Sequence, residues 1–132
     1  MTTKSDAFHS RVLLHEKMKE AYIQYLFRNG MDAISASDHL AEFESHEFRV
    51  VQLFKLFYMN DYNYGAGFPR ISSLFEVTDD HAIGKFMMCQ GGWLTSEEMR
   101  CLVDYHMFLV WRNLAIKKAA EQTDNRLTVN MW

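Results

Sequence analysis

Few side chains in this chain are spaced for chemistry, and each set fails a different requirement. His39, Glu42 and His46 come closest to a metal-ligand group. The two histidines lie seven apart across an expected helix break, so no metal site is expected. Glu16 with Glu20, and Glu42 with Glu44, are spaced like paired carboxylates. Neither pair has a neighbouring group to orient a base, and both read as solvated helix faces. Cys89 and Cys101 are too few for a disulfide framework and lack metal-site spacing, so they are expected as buried thiols in a reducing compartment. No nucleophile elbow, phosphate loop or Cys-His pair is present. The expectation is a protein that is not an enzyme and carries no cofactor.

Recognition chemistry is better represented. Ile71, Leu74, Phe75 and Val77, then Thr78, then Ala82, Ile83 and Phe86 fit two short helices crossing at a tight turn, the second opening at Thr78. A helix-turn-helix offers its second helix to the DNA major groove. On that reading Arg70 and Ser72 lead into the first helix within reach of phosphate. Thr78, Asp79, His81 and Lys85 lie along the second, near base edges or backbone. Asp79 and Asp80 also suit the positive end of a helix without any further role.

The elements that must position these residues are helical. Only one proline and six glycines interrupt 132 residues, of which 48% are hydrophobic, including ten Phe, six Tyr, three Trp and nine Met. That length suits one domain spanning residues 1–132 with its own core. Ser5 or Asp6 caps a first helix ending at Asn29-Gly30, on which Phe8, Val12, His15, Tyr22 and Leu26 form a stripe beside Leu14, Met18, Ala21 and Tyr25. A shorter helix is predicted from about Asp32 to Phe43. Ser45 then caps another that carries Phe48, Val51, Leu53, Phe54 and Phe57. Residues 60–67 are turn formers and predict a loop. Thr95-Ser-Glu-Glu is a capping box before a last helix reaching about Ala120. Its stripe of Met99, Leu102, Val103, His106, Val110 and Leu114 is flanked by Tyr105, Phe108, Trp111 and Ala115.

With those residues in view, the chain resembles the MarR-type winged-helix transcription regulators over roughly Leu40 to Thr95. Ser45-His-Glu-Phe-Arg-Val-Val resembles that family's helix with a Phe-Arg-Val-Leu-like run. Ile71 to Phe86 resembles its helix-turn-helix, Gly92-Trp93-Leu94 the close of its recognition helix, and Leu94-Thr95 the opening of its last helix. The resemblance implies an all-α or nearly all-α fold, with a winged-helix-like core at 45–94 between dimerisation helices at 5–30 and 96–122. It implies a homodimer that binds double-stranded DNA and regulates transcription. The terminal helices would pair through Val12, Tyr22, Leu26, Leu102, His106, Val110 and Leu114, with Trp93 and Trp111 in the core or the seam. Met87, Met88 and Met107 are expected as adaptable filler, the alternative being the lining of a ligand cavity.

Two features run against DNA. The family's wing hairpin has no room between Gly92 and Thr95. The net charge is −3, and from Pro69 to Thr95 Arg70 and Lys85 face Glu76, Asp79 and Asp80. A polyanion is repelled by an acidic reading head. The competing expectation is a protein-interaction module that has lost DNA binding, with Tyr62, Tyr64 and Phe68 as anchors on the loop. The N-terminus is polar through Ser5 and no apolar run approaches a bilayer span, so a cytoplasmic protein without membrane partner is expected.

Overall fold

The computed structural model describes residues 4–58 and 71–130, with side chains described over 13–58 and 71–122. The described chain is all helical: α1 (Lys4–Arg28), α2 (Ala33–Phe57), α3 (Asp80–Gln90) and α4 (Ser96–Asn130), with single 3-10 turns at Leu74–Glu76 and Gly91–Trp93. No strand occurs among the described residues. The loop anchors Tyr62, Tyr64 and Phe68, together with Arg70 and the side chain of Val12, lie outside the described residues.

The α1 stop forms where Asn29-Gly30 places it. The Met31 N–H donates to the Leu26 carbonyl and the Gly30 N–H to that of Phe27, with Gly30 at φ +89°. This is the Schellman pattern, and its left-handed residue suits glycine. Asp32 then caps α2 by accepting the Ser35 N–H at 2.7 Å. Helix α2 is one rod from Ala33 to Phe57, not a helix ending at Phe43 and another beginning at Ser45. The Ser45 hydroxyl is turned back onto the Glu42 carbonyl at 2.7 Å, so it caps nothing. Ala36, Phe43, Val50, Val51, Phe54 and Phe57 keep one buried face across the expected break. Phe48 is 77% exposed on the opposite side.

The pair of crossed helices expected at 71–86 has a different form. Its first member is the 3-10 turn Leu74–Glu76. Ser73 caps that turn, and the Glu76 carboxylate folds back onto the Ser72 and Ser73 N–H groups. Val77 follows in an extended conformation, which prevents continuation. The second member, α3, is capped by Asp79 rather than Thr78: the Asp79 carboxylate accepts the N–H groups of His81 and Ala82. The capping box at Thr95 forms as read, with Glu98 accepting the Thr95 N–H at 2.8 Å and donating its own N–H to the Thr95 hydroxyl at 3.1 Å. Helix α4 runs ten residues past the expected Ala120, to Asn130.

The core is aromatic and centres on Tyr22. Its ring lies 5.2–6.0 Å from those of Phe43, Phe75, Tyr105 and Phe108, in tilted or edge contacts. Phe75 sits on the 3-10 turn and plugs the junction of α1, α2 and α4, 5.1 Å from Phe43 and 5.7 Å from Tyr105. The turn is held there by the Glu47 carboxylate, which accepts the Leu74 N–H at 2.7 Å, and by the Tyr105 hydroxyl, which donates to the Val77 carbonyl at 2.8 Å. Helix α3 packs Phe86 against Phe54 and Phe57 of α2. Tyr22, Leu26 and Leu102, expected at a dimer seam, are thus buried inside one protomer. Their rings and branches fill the space that Phe75 and Phe108 leave between the helices.

Candidate functional site

The outer side of α3 is the surface that the sequence assigns to recognition, and it forms one wall of a cleft rather than a free ridge. Asp80, His81, Gly84, Lys85, Met88 and Cys89 from α3 face His106 from α4 across about 480 Å³. Such a volume lies within the range of binding pockets, about 300–1,000 Å³. Gly84 is what brings the walls together. A Cβ at that position would stand 3.2 Å from the His106 Nε2, so a larger residue would push the imidazole back from the helix by a few tenths of an ångström.

The head of α3 is closed by α4. The Asn113 amide donates to the Thr78 carbonyl at 3.1 Å and to the Asp80 carboxylate at 2.7 Å. The Asp79 carboxylate is turned back onto the helix N-terminus as its cap. The Ser72 N–H bonds to Glu76. Of the six residues expected to touch DNA, the structure therefore uses Thr78 and Asp79 locally and leaves His81 and Lys85 exposed, one turn apart on the cleft rim. Ser72 is exposed at the buried 3-10 turn, outside the cleft lining.

The rim also carries an exposed apolar side chain. Met88 is 87% exposed, and Trp93 in the next turn is exposed as well. Neither is core filler. Arg49 of α2 anchors that turn by donating to the Trp93 carbonyl at 2.9 Å while pairing with the Glu98 carboxylate. Cys89 is exposed, contrary to expectation, and lines the cleft. Cys101 is buried, and burial pushes its thiol up to about 11.

The scattered candidates of the sequence remain scattered. His39 Nε2 meets the Tyr22 hydroxyl at 2.8 Å and lies 3.7 Å from the Asp104 carboxylate, while Glu42 pairs with Arg100. Glu44 turns the other way, onto Lys19 at 3.0 Å, and that hydrogen bond holds the lysine above its ordinary pKa. Among the described residues no three His, Cys, Asp or Glu side chains are grouped to hold a metal ion. Among the same residues, no helix is long and apolar enough to cross a membrane. Sequence reading missed Gly84, Cys89 and His106 as partners in one cleft, and preferred filler to a cavity lining for Met88. A glycine in mid-helix, at the centre of α3, was the one available signal. No family model, curated protein or solved structure matches this chain.

Proposed function

We propose that this chain is a protein-interaction module that receives an apolar side chain of a protein partner in the α3–α4 cleft. The observation that carries this reading is the cleft itself, with the thioether of Met88 projecting on its rim. An exposed methionine beside a concave, mostly apolar floor is the chemistry of partner anchoring. The polar groups around it are balanced rather than basic: Asp80 stands against Lys85, and the other charge carriers are histidines. The variants Gly84→Leu and Met88→Asp act one turn apart on the α3 wall of the cleft. In a pull-down with the intact chain, a partner held through this site is lost with both variants and retained by an exposed variant elsewhere, such as Ile34→Ser. Retention by both cleft variants refutes the site.

A second reading is a winged-helix-like regulator without a wing that contacts DNA through α3. The exposed pair His81 and Lys85 favours it. Against it stand the acidic head of α3, its tie to Asn113 and the net charge of −3. Fluorescence anisotropy with double-stranded DNA separates the readings. Salt-sensitive binding that disappears in Lys85→Glu, with Met88→Asp unaffected, reverses their order.

A further inference from the structure

Past Asn113, helix α4 leaves the body of the protein: every side chain from Leu114 to Gln122 is exposed. Surface helices draw most of their stability from packing one face, so a projecting stretch this long calls for cover. The projecting stretch continues an apolar stripe on the outer side of the helix, made by Val103, Met107, Val110 and Leu114 with Trp111 beside them. Met107 is 55% and Leu114 54% exposed. The spacing of four, three and four residues is that of a coiled-coil seam. It is distinct from the inner stripe of Leu102, Tyr105 and Leu109, which the protomer core occupies.

We propose that this stripe pairs with itself in a second copy of the chain, the two α4 helices running antiparallel about a twofold axis between Val110 and Trp111. Charge decides both the occupant and the direction. In that register Met107 meets Leu114 of the other copy, and the seam is flanked by Arg100 against Glu121 and Asp104 against Lys117, with Lys118 next to it. Each contact occurs twice by symmetry, as an isologous interface requires. A parallel pairing instead sets Arg100, Lys117 and Glu121, which continue the stripe at the same spacing, each against its own copy, which is repulsive. Antiparallel pairing also lays each projecting end along the body-bound half of the other α4, so both exposed ends are covered at once. Arg28, which lies 5.5 Å over the Trp111 ring, borders the seam without blocking it. The cleft borders the same helix through His106, but none of the stripe residues lines it.

Sedimentation equilibrium of the full chain tests it. The expected mass is twice the 15.6 kDa of one chain. Met107→Glu reduces it to one chain while the circular dichroism and melting temperature stay those of a folded protein. In a Cys89→Ser background, Val110→Cys sits beside the axis and cross-links on mild oxidation, whereas Val103→Cys does not. Asp104→Lys weakens the pair, and adding Lys117→Asp and Lys118→Asp restores it. A monomeric wild type, a dimer indifferent to Met107→Glu, or cross-linking at Val103 instead of Val110 overturns the proposal.

Discussion

Replacing Glu98 with alanine removes a carboxylate that ties three parts of the chain together, and its cost is calculable from the contacts. Glu98 is 3% exposed, accepts the Thr95 N–H at 2.8 Å and pairs with Arg49, whose other nitrogen holds the Trp93 carbonyl. Losing the return half of the capping box costs about 1 kcal/mol. Breaking a charge-assisted bond to a buried group costs about 1.5–3 kcal/mol, and the half-exposed Arg49 side chain places this one near the lower end. The sum is about 2–3 kcal/mol. For a domain of this size that corresponds to a fall of roughly 6–12 °C in melting temperature.

The assay is chemical denaturation of wild type, Glu98→Ala, Arg49→Met and the double variant. The cycle should show about 1 kcal/mol of coupling between the two side chains. A loss below about 0.5 kcal/mol for Glu98→Ala, or a coupling of zero, refutes the claim that this pair fixes the 3-10 turn Gly91–Trp93 to α2 and α4.

The same carboxylate gives a pH dependence. Burial alone would raise its pKa, but the Thr95 N–H and the Arg49 guanidinium outweigh burial and hold Glu98 below its ordinary 4.5. The unfolded chain therefore takes up this proton first, and the contribution of Glu98 is complete above about pH 4.5 and lost as pH falls through the folded value; Glu98→Gln should flatten that part of the stability profile. Gly30→Ala should cost about 1–2 kcal/mol in denaturation experiments from backbone strain alone, since φ is +89° and a Cβ meets nothing within 4 Å. Alkylation followed by mass spectrometry should modify Cys89 in the native protein and reach Cys101, buried and with its pKa pushed to about 11, only on unfolding; equal rates contradict this placement.

Features governed by a few adjacent residues were legible from sequence. The Thr95–Glu98 capping box and the Asn29-Gly30 stop depend on hydrogen bonds closed within six residues, so residue type and spacing decide them. The break expected near Ser45 depended on distant partners. A serine there can cap a new helix or bond back to the preceding turn, and the continuous apolar face buried under α1 and α4 selects the second. The 3-10 turn Leu74–Glu76 likewise looks like a helix in sequence. It stays one turn long because Glu47, twenty-seven residues away, takes the Leu74 N–H and Phe75 is drawn into the aromatic core. The cleft shared by His106 and α3 has the same origin: its two walls are distant in sequence.

The phase of α4 shows why such a surface escapes periodicity. Leu102 and Leu109 on one side, and Val103, Met107, Val110 and Leu114 about a third of a turn away, are both apolar stripes at helical spacing, and hydrophobicity ranks them alike. Ring volume separates them. Tyr105 and Phe108 are too large to leave in water and lie on the side of Leu102, where Tyr22 and Phe75 close over them. The tyrosine hydroxyl fixes the choice through its bond to the Val77 carbonyl, a contact unavailable from the other side. Once the core claims that stripe, the branched and thioether side chains of the second are left outside. A sequence expectation that merged the two therefore assigned Leu102 to a seam it cannot reach, while Val110 and Leu114 remain on the surface where a second copy would meet them.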